Sequence, residues 1–212
     1  MVAVDRLELV VVRHGLTAWN RQRRYQGRRD IPLLMPDSVP AMDRLRRHLA
    51  DQDFDAVYAS DLTRCRQTLA HLSEGRTWPA PRFDARLREL DFGAYEGRTY
   101  DELKDLAGYR AWIDSQGESA PPDGESAAAM RERLSAWLAE ALATAEAERH
   151  RRILAVAHGG VIRELRRRFE TVDFWEGSVG QAEGRCWSLA YSEGEWQCSC
   201  SSAVPAPASA TS

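Results

Sequence analysis

Two apolar segments of this chain end in the same pattern. The run at residues 10–12 leads into Arg13-His14-Gly15, and the run at residues 153–157 leads into His158-Gly159-Gly160. An apolar run without alternation is typical of a strand that is buried on both faces. A helix is predicted directly after each of these two His-Gly motifs. The chain is therefore expected to place two histidines at the carboxyl ends of strands, where open α/β sheets hold their active sites.

The rest of the chain alternates between strand and helix patterns. The predicted strands cover residues 7–12, 55–59, 81–83, 153–157, 187–191 and 195–198. The predicted helices cover residues 40–50, 62–72, 99–107, 125–148 and 161–169, with Ser60 as the N-cap of the second. This alternation predicts an α/β fold, a three-layer sandwich with a mostly parallel central sheet and helices on both faces.

The length of the chain, 212 residues, suits one well-buried core. Residues 1–200 are predicted to form that single domain. Residues 201–212 consist mainly of Ser, Ala and Pro and contain too little apolar bulk to fold, so we expect a disordered tail there.

Composition excludes several classes of partner. The formal charge of −3 does not suggest a nucleic acid or an anionic membrane as a partner. We expect neither a signal peptide nor a membrane span, because no basic region precedes an apolar core and no run of about 18 apolar residues occurs. Four cysteines do not make a disulfide framework, and Cys198-Ser199-Cys200 lacks a second ligand cluster for zinc. A cytoplasmic monomer or homodimer is expected.

Several arginines follow the first histidine motif, namely Arg21, Arg23, Arg24, Arg28 and Arg29. A run of charge usually forms a solvated face. Because these arginines follow the His14 motif directly, they are also suited to form a positive rim that attracts an anionic substrate. The sequence leaves both interpretations open.

Glycine and a helix start after each histidine favour a bound anion. The first N–H groups of a helix and its dipole attract negative charge, and glycine lets the backbone approach a phosphate closely. A single histidine at a strand end is more often structural than catalytic. Two such histidines, at positions 14 and 158, are hard to explain by packing and indicate a phosphate site.

Four motifs in order resemble a known family. They are Arg13-His14-Gly15, the segment 60–68 (similar to Ser-x-Leu-x-Arg-Ala-x-x-Thr), the segment 87–97 (similar to Leu-x-Glu-x-x-x-Gly-x-x-Glu-Gly) and the segment 122–126 (similar to Pro-x-Gly-Glu-Ser). Tyr25-Gln26-Gly27 also matches. The chain is identified by this resemblance as a member of the histidine phosphatase (phosphoglycerate mutase-like) superfamily, over roughly residues 7 to 170.

The resemblance implies a role for five catalytic residues. His14 is expected to attack phosphorus and form a phosphohistidine, which divides one difficult step into two. Arg13 and Arg64 are expected to hold the phosphate with their planar, charged forks. His158 is expected to be protonated beside the phosphate and to add another donor. Glu89 is expected to protonate the leaving alkoxide and then to accept a proton from water.

The resemblance also implies the remaining site residues, which are Thr17, Asn20, Gln26, Gly27 and Gly159 as substrate or phosphate contacts. Positive side chains take the role that Mg²⁺ has in kinases, so no metal ion and no other cofactor is expected. The expected partner is a small phosphorylated substrate.

The chain departs from the family pattern at three places. Leu16 stands where Glu or Gln is usual, and residues 34–40 replace the usual Thr-x-x-Gly-x-x-Gln-Ala helix entry. Cys65 replaces Ala beside Arg64, as a small buried residue or, alternatively, a redox-sensitive one. None of these removes a catalytic group, but they leave the physiological substrate open.

Three functions compete. The first is a phosphomonoesterase, with the closest likeness to α-ribazole-5′-phosphate phosphatases and broad-specificity phosphatases. The second is a phosphoglycerate mutase, but the family's mutases carry a Lys where this chain has Tyr100, and they have a longer insert before the second histidine motif. The third is a non-catalytic binder of phosphorylated ligands, which usually lacks the nucleophile or the acid, whereas His14 and Glu89 are both present.

Overall fold

Six strands form a single sheet in the computed structural model, which describes residues 6–172, 177–192 and 194–205. The strand order is β3-β2-β4-β1-β5-β6. The strands are β1 (Arg6–Arg13), β2 (Ala56–Ala59), β3 (Arg82–Phe83), β4 (Arg152–Ala157), β5 (Gly184–Ser192) and β6 (Glu195–Val204). The first four strands in this order pair in parallel, β5 pairs antiparallel with β1, and β6 pairs antiparallel with β5.

Helices cover both faces of the sheet. They are α1 (Ala18–Arg21), α2 (Val39–His48), α3 (Thr63–Ser73), α4 (Tyr100–Leu103), α5 (Ala107–Asp114), α6 (Ala127–Glu148) and α7 (Gly159–Phe169). Alternate residues of β1 separate the two cores, because successive side chains of a strand point to opposite faces. Leu9 and Val11 pack with α6 and α7, and Val10 and Val12 pack with α2 and α3. The predicted three-layer α/β fold, mostly parallel in its sheet, is confirmed.

A third and smaller core is aromatic. Tyr95, Tyr109 and Trp112 are buried together with Leu103, and Tyr25 packs against them. These side chains come from α4, α5 and the loops that precede them. The cluster fixes those loops beside the carboxyl ends of β1 and β4, which is where both histidine motifs begin.

The structure differs from the predicted elements in three places. Leu62, not Ser60, is the N-cap of α3, because the Ser60 side chain is turned to His158. The predicted helix 99–107 is two helices, because Leu106 is extended and so begins a new helix whose Tyr109 packs on Leu103. The helix after His158 begins at Gly159, two residues before the predicted start at residue 161.

The predicted domain boundary at residue 200 is also wrong. Strand β6 continues to Val204, and residues 201–204 pair with residues 184–187 of β5. Backbone hydrogen bonds do not depend on apolar bulk, so the Ser and Ala side chains at 201–203 do not prevent pairing. Val204 is buried at the end of the strand. The rest of the predicted tail, residues 206–212, lies outside the described residues.

Membrane insertion through a helix is not supported. None of the helices within the described ranges combines the length and the apolar character that crossing a bilayer requires.

Replacement of Leu154 by Ala should destabilise the protein by about 2–5 kcal/mol, because Leu154 is fully buried in the central strand β4 and its loss leaves a cavity. Urea unfolding monitored by tryptophan fluorescence would measure the change. Leu106→Ala is the matched control, since Leu106 is 41% exposed and its loss should change stability by less than about 0.5 kcal/mol. Equal effects of the two substitutions would contradict the assigned core.

Candidate active site

The two predicted histidines meet at one edge of the sheet. Strands β1 and β4 are parallel neighbours, so their carboxyl ends bring His14 and His158 together with ring centroids 5.2 Å apart. The His14 backbone N–H also donates to Ala157 O at 3.0 Å, which extends the ladder by one bond. Both imidazoles are almost completely buried, at 3% and 0% exposure. The local strand pattern therefore places the two rings as predicted.

His14 has the tautomer that a nucleophile needs. Its Nδ1 donates to Gly15 O at 2.7 Å, which assigns the proton to Nδ1 and leaves the Nε2 lone pair available. Burial, followed by the charges of Arg64 and Arg13, lowers the pKa of His14 well below its ordinary value. The Gly15 N–H donates to Thr68 Oγ1 at 2.9 Å and fixes the turn that carries the ring. His14 is therefore a neutral, oriented imidazole at neutral pH.

His158 is neutral as well. Its Nδ1 accepts from Arg64 Nε at 3.3 Å, and its Nε2 lies 2.9 Å from Ser60 Oγ. Burial, then the charges of Arg64 and His14, lowers the pKa of His158 well below its ordinary value. Adjacent guanidinium charge and the absence of solvent oppose a third positive charge there. The expectation of a protonated His158 concerns the site with phosphate bound, where it stays a prediction.

Arg64 is a fully buried cation at the start of α3. Its Nη1 donates to Arg29 O at 2.8 Å, and its Nη2 donates to Gly27 O at 2.7 Å. Burial lowers its pKa from the ordinary value for arginine, and nearby thiol and carboxyl groups oppose that change. Backbone carbonyls thus hold this guanidinium in place beside His158 without neutralising it.

Arg13 is a second cation of the site, partly buried, with an unused donor. Its Nη1 donates to Val179 O at 2.8 Å, whereas its Nε is buried with no acceptor in the described part of the chain. A Cβ placed on Gly159 would lie 3.3 Å from Arg13 Cζ, so glycine allows the guanidinium to approach the start of α7. Burial lowers the pKa of Arg13, and the charge of Glu89 opposes that change. A buried N–H without an acceptor favours an anionic ligand at this point.

Glu89 reaches the site from the loop after the short 3₁₀ turn at Ala85–Leu87. Its Oε2 accepts from Gly160 N at 2.9 Å, and its Oε1 accepts from Leu90 N at 2.9 Å. A Cβ on Gly160 would lie only 2.1 Å from Oε1, so this carboxyl group occupies the space that a side chain would need. The carboxyl group is thereby fixed against the N-terminal turn of α7, beside Arg13.

The remaining predicted contacts fall into two groups. Asn20, Gln26 and Gly159 line the site cavity. Thr17 is buried and caps α1, exchanging hydrogen bonds with Asn20, and Gly27 offers its carbonyl to Arg64. Both polar atoms of the Gln26 amide form hydrogen bonds when Nε2 donates to Thr17 Oγ1 at 2.5 Å and the amide oxygen accepts from Arg64 Nη1 at 3.2 Å. Thr17 and Gly27 therefore support the site from behind.

A cavity of about 320 Å³ opens beside Arg13, Glu89 and Gly159. Its outer wall is aromatic, with ring centroids 5.1 Å apart for Tyr25 and Phe92 and 5.9 Å apart for Phe92 and Trp112. Further apolar lining comes from Leu90, Ile113, Ala127 and Met130. The sequence did not reveal this wall, because its residues come from three segments. Only the position of Tyr25 directly before Gln26-Gly27 could have suggested part of it.

Comparisons with known proteins agree with this geometry. A sequence profile described as "Histidine phosphatase superfamily (branch 1)" matches residues 9–203. The chain belongs to the histidine phosphatase superfamily. A curated relative, "Probable phosphoglycerate mutase GpmB" of Salmonella arizonae, is 35% identical over 155 residues, which cover 72% of this chain and 70% of the relative.

Solved structures show the same fold. The crystal structure of the α-ribazole phosphatase of Shigella flexneri is similar with a TM-score of 0.76 and 26% identity, covering 91% of this chain and 94% of that one. A phosphoglycerate mutase of Bacillus anthracis has a TM-score of 0.74 with 24% identity, covering 92% of each chain, a likeness of fold alone. The histidine phosphatase core thus occurs in relatives with different names.

The arginine cluster at residues 21–29 is mostly paired. Arg21 lies 3.0 Å from Asp37, Arg28 lies 3.1 Å from Glu125, and Arg24 donates to Gly97 O. Within the described part of the chain, Arg24 is the member of the cluster that lines the cavity. Most of the cluster therefore belongs to the solvated and paired surface, and Arg24 remains as a cation on the rim.

Cys65 packs against His158, with its Sγ 3.5 Å from His158 Nε2. Its side chain is fully buried, and burial raises the pKa of its thiol to about 12. Oxidation of cysteine needs a thiolate and access to the oxidant. These properties favour the structural interpretation of Cys65 over the redox-sensitive one.

The two neutral histidines should make stability depend on pH. Their folded-state pKa values lie below the ordinary value of 6.5. The contribution of the two neutral histidines to the free energy of unfolding is therefore fully present above about pH 6.5. It falls as the pH drops toward their folded-state pKa values, because the unfolded chain then binds more protons. Each histidine should contribute a slope of at most about 1.4 kcal/mol per pH unit.

Urea unfolding between pH 7.5 and 5 would measure this slope. The His14→Asn/His158→Asn double variant should lose most of it, whereas His48→Asn on the exposed surface of α2 should keep it. An unchanged slope in the double variant would contradict the burial of two neutral imidazoles.

Proposed function

We propose that this protein is a metal-independent phosphomonoester hydrolase that acts through a phosphohistidine at His14. The observation that carries the proposal is a neutral imidazole, with Nε2 unprotonated, beside the buried guanidinium of Arg64 and the partly buried one of Arg13. An uncharged nucleophile beside two cations, with Arg13 Nε lacking an acceptor among the described residues, suits a phosphate dianion as the ligand.

The proposed reaction has two steps. The phosphoryl group lies between Arg13, Arg64 and the N-terminal N–H groups of α7, where charge on its equatorial oxygens is stabilised. His14 Nε2 attacks phosphorus in line as the bond to the ester oxygen breaks. Glu89 enters this step protonated and gives its proton to the leaving alkoxide. A water molecule then attacks the phosphohistidine and gives a proton to Glu89. The products are the alcohol and inorganic phosphate, and His14 returns to its starting state.

The aromatic wall supports a leaving group with an apolar or planar face. Tyr25, Phe92 and Trp112 border the space next to Glu89, where the alcohol part of the substrate would lie. Aromatic side chains stack well on flat rings and contribute little to binding a small polar acid. A nucleoside-like phosphomonoester such as α-ribazole 5′-phosphate therefore suits this cavity better than phosphoglycerate does.

A phosphoglycerate mutase is the second candidate. Curated relatives of this chain carry that name, and Arg24 and Arg163 line the cavity, where they could face a substrate carboxylate. Against it, the position where the family's mutases have Lys is Tyr100, which is 61% exposed and does not line this cavity.

One preparation should decide between the two activities. We expect phosphate release from a panel of phosphomonoesters, with kcat/KM higher for α-ribazole 5′-phosphate and naphthyl phosphate than for 3-phosphoglycerate. Brief reaction with a labelled ester should leave acid-labile, base-stable label on the protein, and His14→Ala should abolish both label and turnover. Interconversion of 3- and 2-phosphoglycerate faster than phosphate release, even with 2,3-bisphosphoglycerate present, would favour the mutase instead.

Glu89→Gln should lower the rate on alkyl phosphates roughly 10²–10⁴-fold, because the amide cannot give a proton to the leaving oxygen. The loss should be much smaller for nitrophenyl phosphate, whose leaving group needs little protonation. Steady-state kinetics with both esters would measure this, with Glu132→Gln on the exposed face of α6 as the matched control. Equal losses on the two esters would indicate that Glu89 only orders its loop.

A further inference from the structure

Arg133 of α6 is joined to the loop that carries Glu89. Its Nη1 donates to Arg86 O at 2.6 Å and to Arg88 O at 2.7 Å, and its Nη2 donates to Glu89 O at 3.1 Å. The two remaining donors bind both carboxylate oxygens of Glu125 at 2.7 and 2.8 Å. All five N–H groups of this guanidinium are therefore used, and three of them hold the backbone at residues 86–89.

Glu125 is the anion at the centre of this arrangement. Its side chain is only 10% exposed, and Arg28 Nη2 lies 3.1 Å from its Oε1. Burial alone would raise the pKa of Glu125, but the hydrogen bonds and charge of Arg133, with the charge of Arg28, hold it below the ordinary value. Glu125 therefore stays ionised and binds two guanidinium groups. It belongs to the Pro-x-Gly-Glu-Ser motif, to which the proposed reaction gives no role.

Arg28 extends the arrangement to the phosphate side of the site. It stands between Gly27 and Arg29, whose carbonyls accept the hydrogen bonds of Arg64. The backbone of this turn is fixed independently, because Glu96 accepts from Arg28 N at 2.8 Å and from Arg29 N at 2.9 Å. One chain of ion pairs thus connects the turn that holds Arg64 to the loop that holds Glu89.

We propose that Arg28, Glu125 and Arg133, called here the Arg133 clamp, position Glu89 for proton transfer. This inference rests on the proposed function, in which Glu89 is the proton donor. The clamp touches neither His14 nor the phosphate site directly, so its members are positioning residues. Because three carbonyls of the Glu89 loop are bound to α6, the carboxyl group is held at a fixed distance from the leaving oxygen, and a displacement of about 1 Å is enough to slow catalysis substantially.

Arg133→Lys is the appropriate variant to test the clamp. Lysine keeps a positive charge beside Glu125, so no buried carboxylate is left without a cation, but it cannot reproduce the planar fork with five donors. We expect kcat on alkyl phosphates to fall roughly 10- to 100-fold as Glu89 loses its position. The rate on nitrophenyl phosphate should fall less than about threefold, because that leaving group needs little protonation. Inhibition by vanadate should be unchanged, since the phosphate site is intact.

A double-mutant cycle separates positioning from general damage. In a Glu89→Gln background, Arg133→Lys should cause no further loss on alkyl phosphates, because residues that act through one group are not additive. Arg131→Lys is the matched control. Arg131 lies on the same helix and binds Glu118 with two hydrogen bonds at 2.9 and 2.8 Å, but it does not contact the Glu89 loop. Arg131→Lys should change neither the rate on alkyl phosphates nor the rate on nitrophenyl phosphate.

Two kinetic results would overturn the clamp: equal losses on alkyl and nitrophenyl phosphates, or a full additional loss in the Glu89→Gln background. Amide hydrogen exchange at residues 88–90 gives a readout that does not depend on activity. Exchange should be faster in Arg133→Lys than in Arg131→Lys, and equal exchange would also overturn the proposal. If the unmodified protein hydrolysed neither ester, the proposed function would fail, and the exchange comparison would still decide whether the clamp orders this loop.

Discussion

The site depends on two guanidinium groups held beside two buried imidazoles. Arg64 is fully buried and Arg13 is partly buried, and their charge, together with the burial of the two rings, keeps His14 and His158 neutral. A buried cation is unfavourable unless hydrogen bonds or an anion compensate it. Backbone carbonyls compensate much of the charge of Arg64, whereas Arg13 Nε lacks an acceptor among the described residues. The charge of Arg13 and Arg64 that opposes protonation of His14 therefore also favours a bound anion such as phosphate.

Two glycines of the motifs are explained by carboxylates from distant parts of the chain. A Cβ on Gly27 would lie 2.2 Å from Glu96 Oε1, and a Cβ on Gly160 would lie 2.1 Å from Glu89 Oε1. Each glycine thus leaves a space that the carboxylate of another motif fills, and in each case that carboxylate accepts backbone N–H groups nearby. Motifs that look independent in the sequence are pairs of complementary surfaces in the fold. A change in one member of a pair requires a change in the other.

The sequence predicted the features that depend on local pattern. The β1 and β4 strands, the helices after them and the meeting of His14 with His158 follow from apolar runs that end in His-Gly. Features that depend on contacts between distant segments could not be predicted in this way. The pKa of His158 is lowered by burial and by the charge of Arg64, 94 positions away in the chain. The aromatic wall and the Arg133 clamp are assembled from separate segments, and the length of β6 is set by hydrogen bonding to β5 rather than by its small side chains.

A phosphatase and a phosphoglycerate mutase share the first step, formation of the phosphohistidine. They differ in the group that attacks the phosphohistidine afterwards. A mutase must hold the dephosphorylated acid in place so that its other hydroxyl attacks before water does. Such retention needs charged contacts around the whole acid, whereas an apolar wall binds a ring through contact area. In this chain the wall next to Glu89 is formed by Tyr25, Phe92 and Trp112, and the charged side chains of Arg13, Arg24 and Arg163 line other parts of the same cavity. In the proposed reaction, an alcohol that stacks on this wall is held mainly through apolar contact, so we infer that it departs and leaves the phosphohistidine open to water.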